Sequence, residues 1–192
     1  MIADGFSTLE GDWELHWAPY DPPTYQAVLE QLRPEAVVLD IGSGDLRLAR
    51  QMALTARKVY CIELNERVLA QGLSSPLPGN LIVIHADALV VDFPPDISVG
   101  VLLMRHCTHF TVYADKLKNL GCQKLITNAR WRMAVESIAL QAPRITFAEM
   151  EIGWYACWCG AVGFKTGPVE LLTPGTNEII HEVIACPDCL EH

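Results

Sequence analysis

Three short segments of this 192-residue chain carry side chains whose type and spacing suit a nucleoside ligand. The first is Val37-Val38-Leu39-Asp40-Ile41-Gly42-Ser43-Gly44, an apolar run closed by an acid and two glycines. Those glycines let the backbone turn tightly and approach a ligand with no Cβ in the way. The second is Tyr60-Cys61-Ile62-Glu63-Leu64, whose acid falls 23 residues after Asp40. A carboxylate there can accept hydrogen bonds from both ribose hydroxyls. The third is His85-Ala86-Asp87-Ala88, where a carboxylate or a neighbouring N–H can read an adenine amine. A glycine pair alone is weak evidence. Three acids at successive strand ends form a constellation.

A second cluster is made of sulfur. Cys157-Trp158-Cys159-Gly160 and Cys186-Pro187-Asp188-Cys189 are two close thiol pairs separated by a β-rich stretch. Brought together, they can complete a tetrahedron around Zn²⁺, and four protein ligands make that a structural rather than a catalytic site. The arrangement resembles a zinc ribbon with Cys-x-Cys-Gly in its first knuckle. A redox Cys-x-x-Cys should instead open a helix after a strand. His181 is a weaker substitute for one thiol. The other cysteines, Cys61, Cys107 and Cys122, are isolated, and an odd total of seven argues against a disulfide framework and for a reducing cytosol.

Elements must deliver these groups to one place. Asp21-Pro22 reads as an N-cap with proline at the first helical position, and Tyr25, Val28, Leu29 and Leu32 follow at helical spacing. Short apolar runs at 36–41, 59–64, 81–85, 97–104 and 125–128 read as strands. Helical segments at 46–56, 65–70 and from Thr108 to Gly121 separate them. Buried strands alternating with helices predict a doubly wound, mostly parallel α/β sheet. In such sheets ligands bind at the carboxyl edge, which is where the three acids fall. Residues 133–140 are expected as one more helix. From Ile145 onward β segments broken by glycine and proline follow, at 145–157, 161–165 and 178–185. The expected division is a nucleoside-binding domain at 1–144 and a β-rich metal element at 145–189. Leu190-Glu191-His192 resemble the start of a purification tag and lie outside both.

Asp-x-Gly-x-Gly, an acid after strand two and Asp-Ala after strand three together resemble the class I S-adenosylmethionine-dependent methyltransferases. The resemblance covers roughly residues 20–130 and implies a Rossmann-like fold and a methyl-transferring enzyme. It implies that Asp40, Gly42, Ser43 and Gly44 hold the amino acid end of S-adenosylmethionine. Glu63 and Leu64 would take the ribose, and Asp87 and Ala88 the adenine. The family's usual third glycine is replaced by Leu46. A dinucleotide site would need Gly-x-Gly-x-x-Gly, whose last position here is Arg47, and Asp40 would repel a pyrophosphate.

The acceptor should approach from the loop after strand four. Base-methylating relatives, the ribosomal adenine dimethylases among them, carry Asn-Pro-Pro-Tyr or Asn-Leu-Pro-Tyr there. This chain has Met104-Arg105-His106-Cys107-Thr108-His109, in which His106 is a candidate base and Arg105 a candidate anion anchor. Trp13, Trp17 and Tyr20 are candidate cover for the cofactor, with packing against the sheet the plainer role. His16 and His85 read as structural. Net charge is −9 with Lys and Arg scattered, unlike the basic face of a nucleic-acid binder. The expected acceptor is therefore a small molecule or a protein side chain. RNA ranks below these, although zinc ribbons often accompany RNA methylation. A non-catalytic, zinc-bearing interaction module that keeps the cofactor fold is the alternative of another class. With no apolar run near the roughly 20 residues of a membrane span and no signal-like N-terminus, a cytoplasmic location is expected.

Overall fold

A computed structural model describes residues 18–132 and 134–190. Its first helix, α1 (Pro22–Leu29), starts where Asp21 accepts the Thr24 N–H at 2.9 Å, with proline at the first helical position. Then follow β1 (Val37–Ile41), α2 (Arg47–Met52), β2 (Lys58–Glu63), α3 (Glu66–Gly72) and β3 (Leu81–His85). Next come β4 (Val99–Leu102), α4 (Phe110–Asn119), β5 (Lys124–Thr127) and β6 (Glu136–Ala139). They build a six-stranded sheet in the order β3-β2-β1-β4-β5-β6, parallel throughout except for the β5–β6 pair. The chain direction along the sheet reverses between β1 and β4, which opens a crevice at the carboxyl ends of those strands.

Alternate residues of each strand feed two cores. Val38, Val59, Val101 and Ile126 face α1, α2 and α3 through Val28, Met52 and Leu69. Leu39, Ile41, Ile62 and Leu125 pack with Phe110, Tyr113 and Leu117 of α4. Each such side chain contributes about 1.5–3 kcal/mol by leaving water, so continuous apolar strands are what a sheet covered on both faces requires.

Residues 136–140 differ from the expected helix. Ser137 and Ala139 are exposed while Ile138 and Leu140 are buried, a period of two. The segment satisfies the open edge of β5 as an antiparallel strand, and local helix propensity loses to that pairing. Helix α4 begins at Phe110 with His109, not Thr108, at the cap position. Helix α2 stops at Met52, short of Ala56. Among the described residues no helix is long and apolar enough to cross a membrane. Trp13, Trp17 and His16 lie outside the described residues.

The rest of the chain forms a second sheet, in the order β7-β10-β8-β9. Its strands are β7 (Ile145–Thr146), β8 (Gly153–Cys157), β9 (Val162–Lys165) and β10 (Ile180–Ile184). A short helix, α5 (Pro187–Leu190), follows. Met150, Tyr155 and Val183 form its small core together with Cys157 and Cys186. The expected single β segment at 145–157 is thus two strands, β7 and β8, held apart in the sheet by β10.

Candidate functional site

The β1 turn is fastened to the tip of β2. Gly42 and Ser43 donate their N–H groups to the Ile62 carbonyl at 2.9 and 3.1 Å. The Gly44 N–H donates to Glu63 Oε2 at 2.7 Å, and Asn65 N–H to the other Glu63 oxygen at 2.7 Å. The turn needs left-handed backbone at Gly42 (φ +70°) and Gly44 (φ +57°). Leu46, where the family keeps a glycine, holds the left-handed geometry as well (φ +64°) and buries its side chain completely. The backbone path survives the substitution because the leucine gains a core position.

Asp40 and Glu63 share the sheet face that looks toward α1–α3, and both are buried. One Asp40 carboxylate oxygen has no hydrogen-bond partner among the described residues. Burial, reinforced by the negative Glu63 beside it, pushes the Asp40 carboxyl up to about 7. A carboxylate so placed gains from any cation that enters the crevice. At the rim Leu64 is exposed, and β3 is stitched to β2 by Ala86 N–H on the Glu63 carbonyl at 3.1 Å. Asp87 follows, and its carboxylate accepts the Leu89 N–H at 2.8 Å, closing its own turn. The buried Ala88 receives the Lys116 ammonium on its carbonyl at 2.7 Å. Two of the three strand-tip acids are therefore buried on one face of the sheet, near enough for Glu63 to act on the Asp40 carboxyl. The third stands at the next strand exit with its carboxylate engaged locally.

On the far side of Asp40 lie the exits of β4 and β5. The Met104 methyl group rests on Gly42, so tightly that a Cβ there would overlap it. Arg105 lays its guanidinium over the Tyr20 ring at 4.7 Å and donates its backbone N–H to the Tyr20 hydroxyl at 3.3 Å. Tyr20 in turn donates its N–H to the Tyr25 hydroxyl at 3.1 Å. A cleft of about 350 Å³ opens there, lined by Tyr20, Tyr25, Gln26 and Arg47. His106 is exposed. Asn128, just past β5, was not a sequence candidate, yet it is buried with both amide atoms unpartnered among the described residues. A lone asparagine after a short strand gives no signal of that kind in sequence.

A family model described as ribosomal RNA adenine dimethylase matches residues 20–128, which is more than half of the chain and includes the whole glycine turn and the tips of β1 to β5. The chain belongs to that family. Among curated relatives, a probable ribosomal RNA small subunit methyltransferase A of Methanococcus maripaludis is 29% identical over 106 residues. That alignment covers 54% of this chain and 31% of the relative. An rRNA adenine N-6-methyltransferase of Saccharopolyspora erythraea is 40% identical over 68 residues, 34% of this chain and 18% of that one. The chain thus aligns with about a third or less of the length of these relatives. Among solved structures, precorrin 8W decarboxylase of Methanobacterium thermoautotrophicum superposes with a TM-score of 0.51 at 19% identity, covering 58% of this chain and 64% of that one. The fold is that of the class I S-adenosylmethionine-dependent methyltransferases.

The matched segment stops before the cysteines. Cys157 and Cys159 sit on the turn between β8 and β9, where Gly160 (φ +98°) returns its N–H to the Cys157 carbonyl at 3.0 Å. Cys186 and Cys189 flank the start of α5. The four Sγ atoms lie within 4.8 Å of one another. Three of the separations are 3.5, 3.6 and 3.7 Å. Sulfurs about 2.3 Å from a tetrahedral zinc would be roughly 3.8 Å apart, so the donor set fits the ion in type and spacing. All four are free thiols. His181 is not part of the cluster. Trp158, inside the first knuckle, reaches back to the main sheet: its indole N–H donates to Asp115 of α4 at 2.8 Å, and Arg144 stacks on its ring at 4.1 Å.

Proposed function

We propose that this chain is the S-adenosylmethionine-binding part of a methyltransferase whose acceptor is an adenine amino group in ribosomal RNA. The joint observation that supports it most is a family match spanning the glycine turn together with two buried acids, Asp40 and Glu63, on one crevice beside that turn. S-adenosylmethionine, when bound, supplies an electrophilic methyl group on a sulfonium. In this reading the unpaired Asp40 oxygen attracts the cationic amino acid end, and the Gly42-Ser43-Gly44 backbone lets it approach. Glu63 retains lone pairs on both oxygens for the ribose hydroxyls, and Leu64 packs beside them. Asp87 and Ala88 line the adenine side. The Met104 side chain, lying over Gly42, shifts to admit the ligand.

The family outweighs the charge argument that favoured a small-molecule or protein acceptor, because a net charge averages over surfaces that never touch RNA. Arg105 and His106 stand on the acceptor side, the first supporting the Tyr20–Tyr25 wall and the second the candidate base for the proton released from the methylated amine. In the same reading, residues 1–144 form the cofactor domain, and Cys157, Cys159, Cys186 and Cys189 hold one structural zinc within 145–189.

Calorimetry with S-adenosylmethionine, paired with transfer of its labelled methyl group to purified ribosomal RNA, tests this. Methylated adenosine should appear in the nucleoside digest, and Glu63→Ala should weaken cofactor binding by about tenfold or more. Cofactor binding without RNA methylation, alongside transfer to a small amine or a protein, would overturn the acceptor assignment.

A further inference from the structure

We propose that Asn128 is the specificity-determining residue that reads the edge of the acceptor base; the proposal rests on the RNA reading above. Asn128 is 1% exposed, and neither its amide nitrogen nor its amide oxygen has a partner among the described residues. Leaving a buried donor and acceptor unmade destabilises a fold, and nearly all such groups are paired. An amide with both halves unmade therefore points to a ligand that completes it.

Its position says which ligand. Alternation along β5 turns Leu125 toward α4 and Ile126 toward α1–α3, so residue 128 returns to the Ile126 face. Asp40 stands on that same face of β1. The neighbouring Thr127 hydroxyl donates to the Leu102 carbonyl at 2.7 Å and pins the β5 exit to that of β4. Arg132 N–H donates to the Asn128 carbonyl at 2.8 Å, which fixes the backbone on the other side. In that reading the cofactor takes the tips of β1, β2 and β3. A group at β5, across β4 from Asp40, lies beyond the amino acid end of that ligand, on the side from which a methyl acceptor arrives. In the loop after β4, Arg105 Nε is another buried donor without a partner among the described residues.

An asparagine amide offers one donor and one acceptor side by side. Its complement is an acceptor edge with an amino donor next to a ring nitrogen, as in adenine, whereas the corresponding edge of guanine presents two acceptors. The amide is as deeply buried as Asp40, so both would be reached by the same opening of the crevice.

The test replaces the amide with an apolar side chain of similar size. Asn128→Leu in the full chain removes two unsatisfied polar atoms, so Tm of the ligand-free protein should rise by roughly 2–4 °C. Affinity for S-adenosylmethionine should stay within about threefold. Methyl transfer to an adenine-containing ribosomal RNA fragment should lose about 10- to 100-fold in kcat/KM. Asn128→Ser repeats the kinetic arm if leucine is not accommodated. A lower Tm with unchanged kcat/KM assigns Asn128 a purely structural role and overturns the proposal. A wild type that binds the cofactor but methylates no RNA overturns the RNA reading itself, and this assignment with it.

Discussion

Asp40 shows how one residue carries a cost in the ligand-free chain that a ligand would remove. Its ordinary carboxyl value of 3.8 is raised to about 7, by burial first and by Glu63 second. The folded chain therefore keeps a proton that the unfolded chain has lost, and stability falls as pH rises from about 4 to about 7. Below that window both states are protonated and the cost vanishes. Asp40→Asn should consequently stabilise the ligand-free protein at pH 8 by roughly 2–4 kcal/mol, with the gain disappearing toward pH 4 in thermal melts. The same variant should bind S-adenosylmethionine more weakly. For the wild type, calorimetry in buffers of different ionisation enthalpy should detect proton release on binding below pH 7, since a cationic ligand favours the carboxylate. An Asp40 that gains nothing from neutralisation at pH 8 would show that the crevice is already solvated.

At the scale of elements, the glycine turn depends on how closely α3 approaches it. Gly72, at the end of α3, has Asp45 O only 2.5 Å and Leu46 Cγ only 2.8 Å from where a Cβ would be. Arg50 clamps the same junction by donating to the Gly72, Ser75 and Pro76 carbonyls at 2.7 to 2.8 Å. Helix propensity alone would have Gly72→Ala stabilise by about 1 kcal/mol. Contact with backbone atoms reverses the sign, and a loss of about 2 kcal/mol is expected, read as a drop of roughly 4–8 °C in Tm. Unchanged or increased stability would mean that α3 is free to move away. Strand β6 teaches a related lesson: residues 133–140 have a helix-compatible composition, but the unpaired edge of β5 selects a strand.

At the scale of the molecule, several contacts among the described residues join the sheets, and two stand out. The Arg130 side chain, fully buried, makes paired hydrogen bonds to both Glu136 of β6 and Glu182 of β10, at 2.6 to 3.0 Å. Burial opposes its charge, and those two carboxylates more than offset that. The cysteine knuckle, through Trp158, is the second. Metal analysis should find about one zinc per chain, and Cys186→Ser should abolish it. Chelation should lower Tm by several degrees, because metal binding adds directly to folding free energy. A metal-free wild type that stays stably folded would remove zinc from the description.

Sequence alone determined the parallel sheet, the glycine turn, the acids at the strand tips and the sulfur set. These are written in local patterns: apolar runs, positive-φ positions and short ligand spacings. Tertiary structure decided the rest. It showed Asp40 and Glu63 buried on one face while Asp87 caps its own turn, and it left one Asp40 oxygen without a partner among the described residues. It made β6 a strand, placed Met104 on Gly42 and stranded the Asn128 amide. Each of these depends on what a side chain finds across the sheet or through the core. Such pairings join residues far apart in the chain, so no local pattern encodes them.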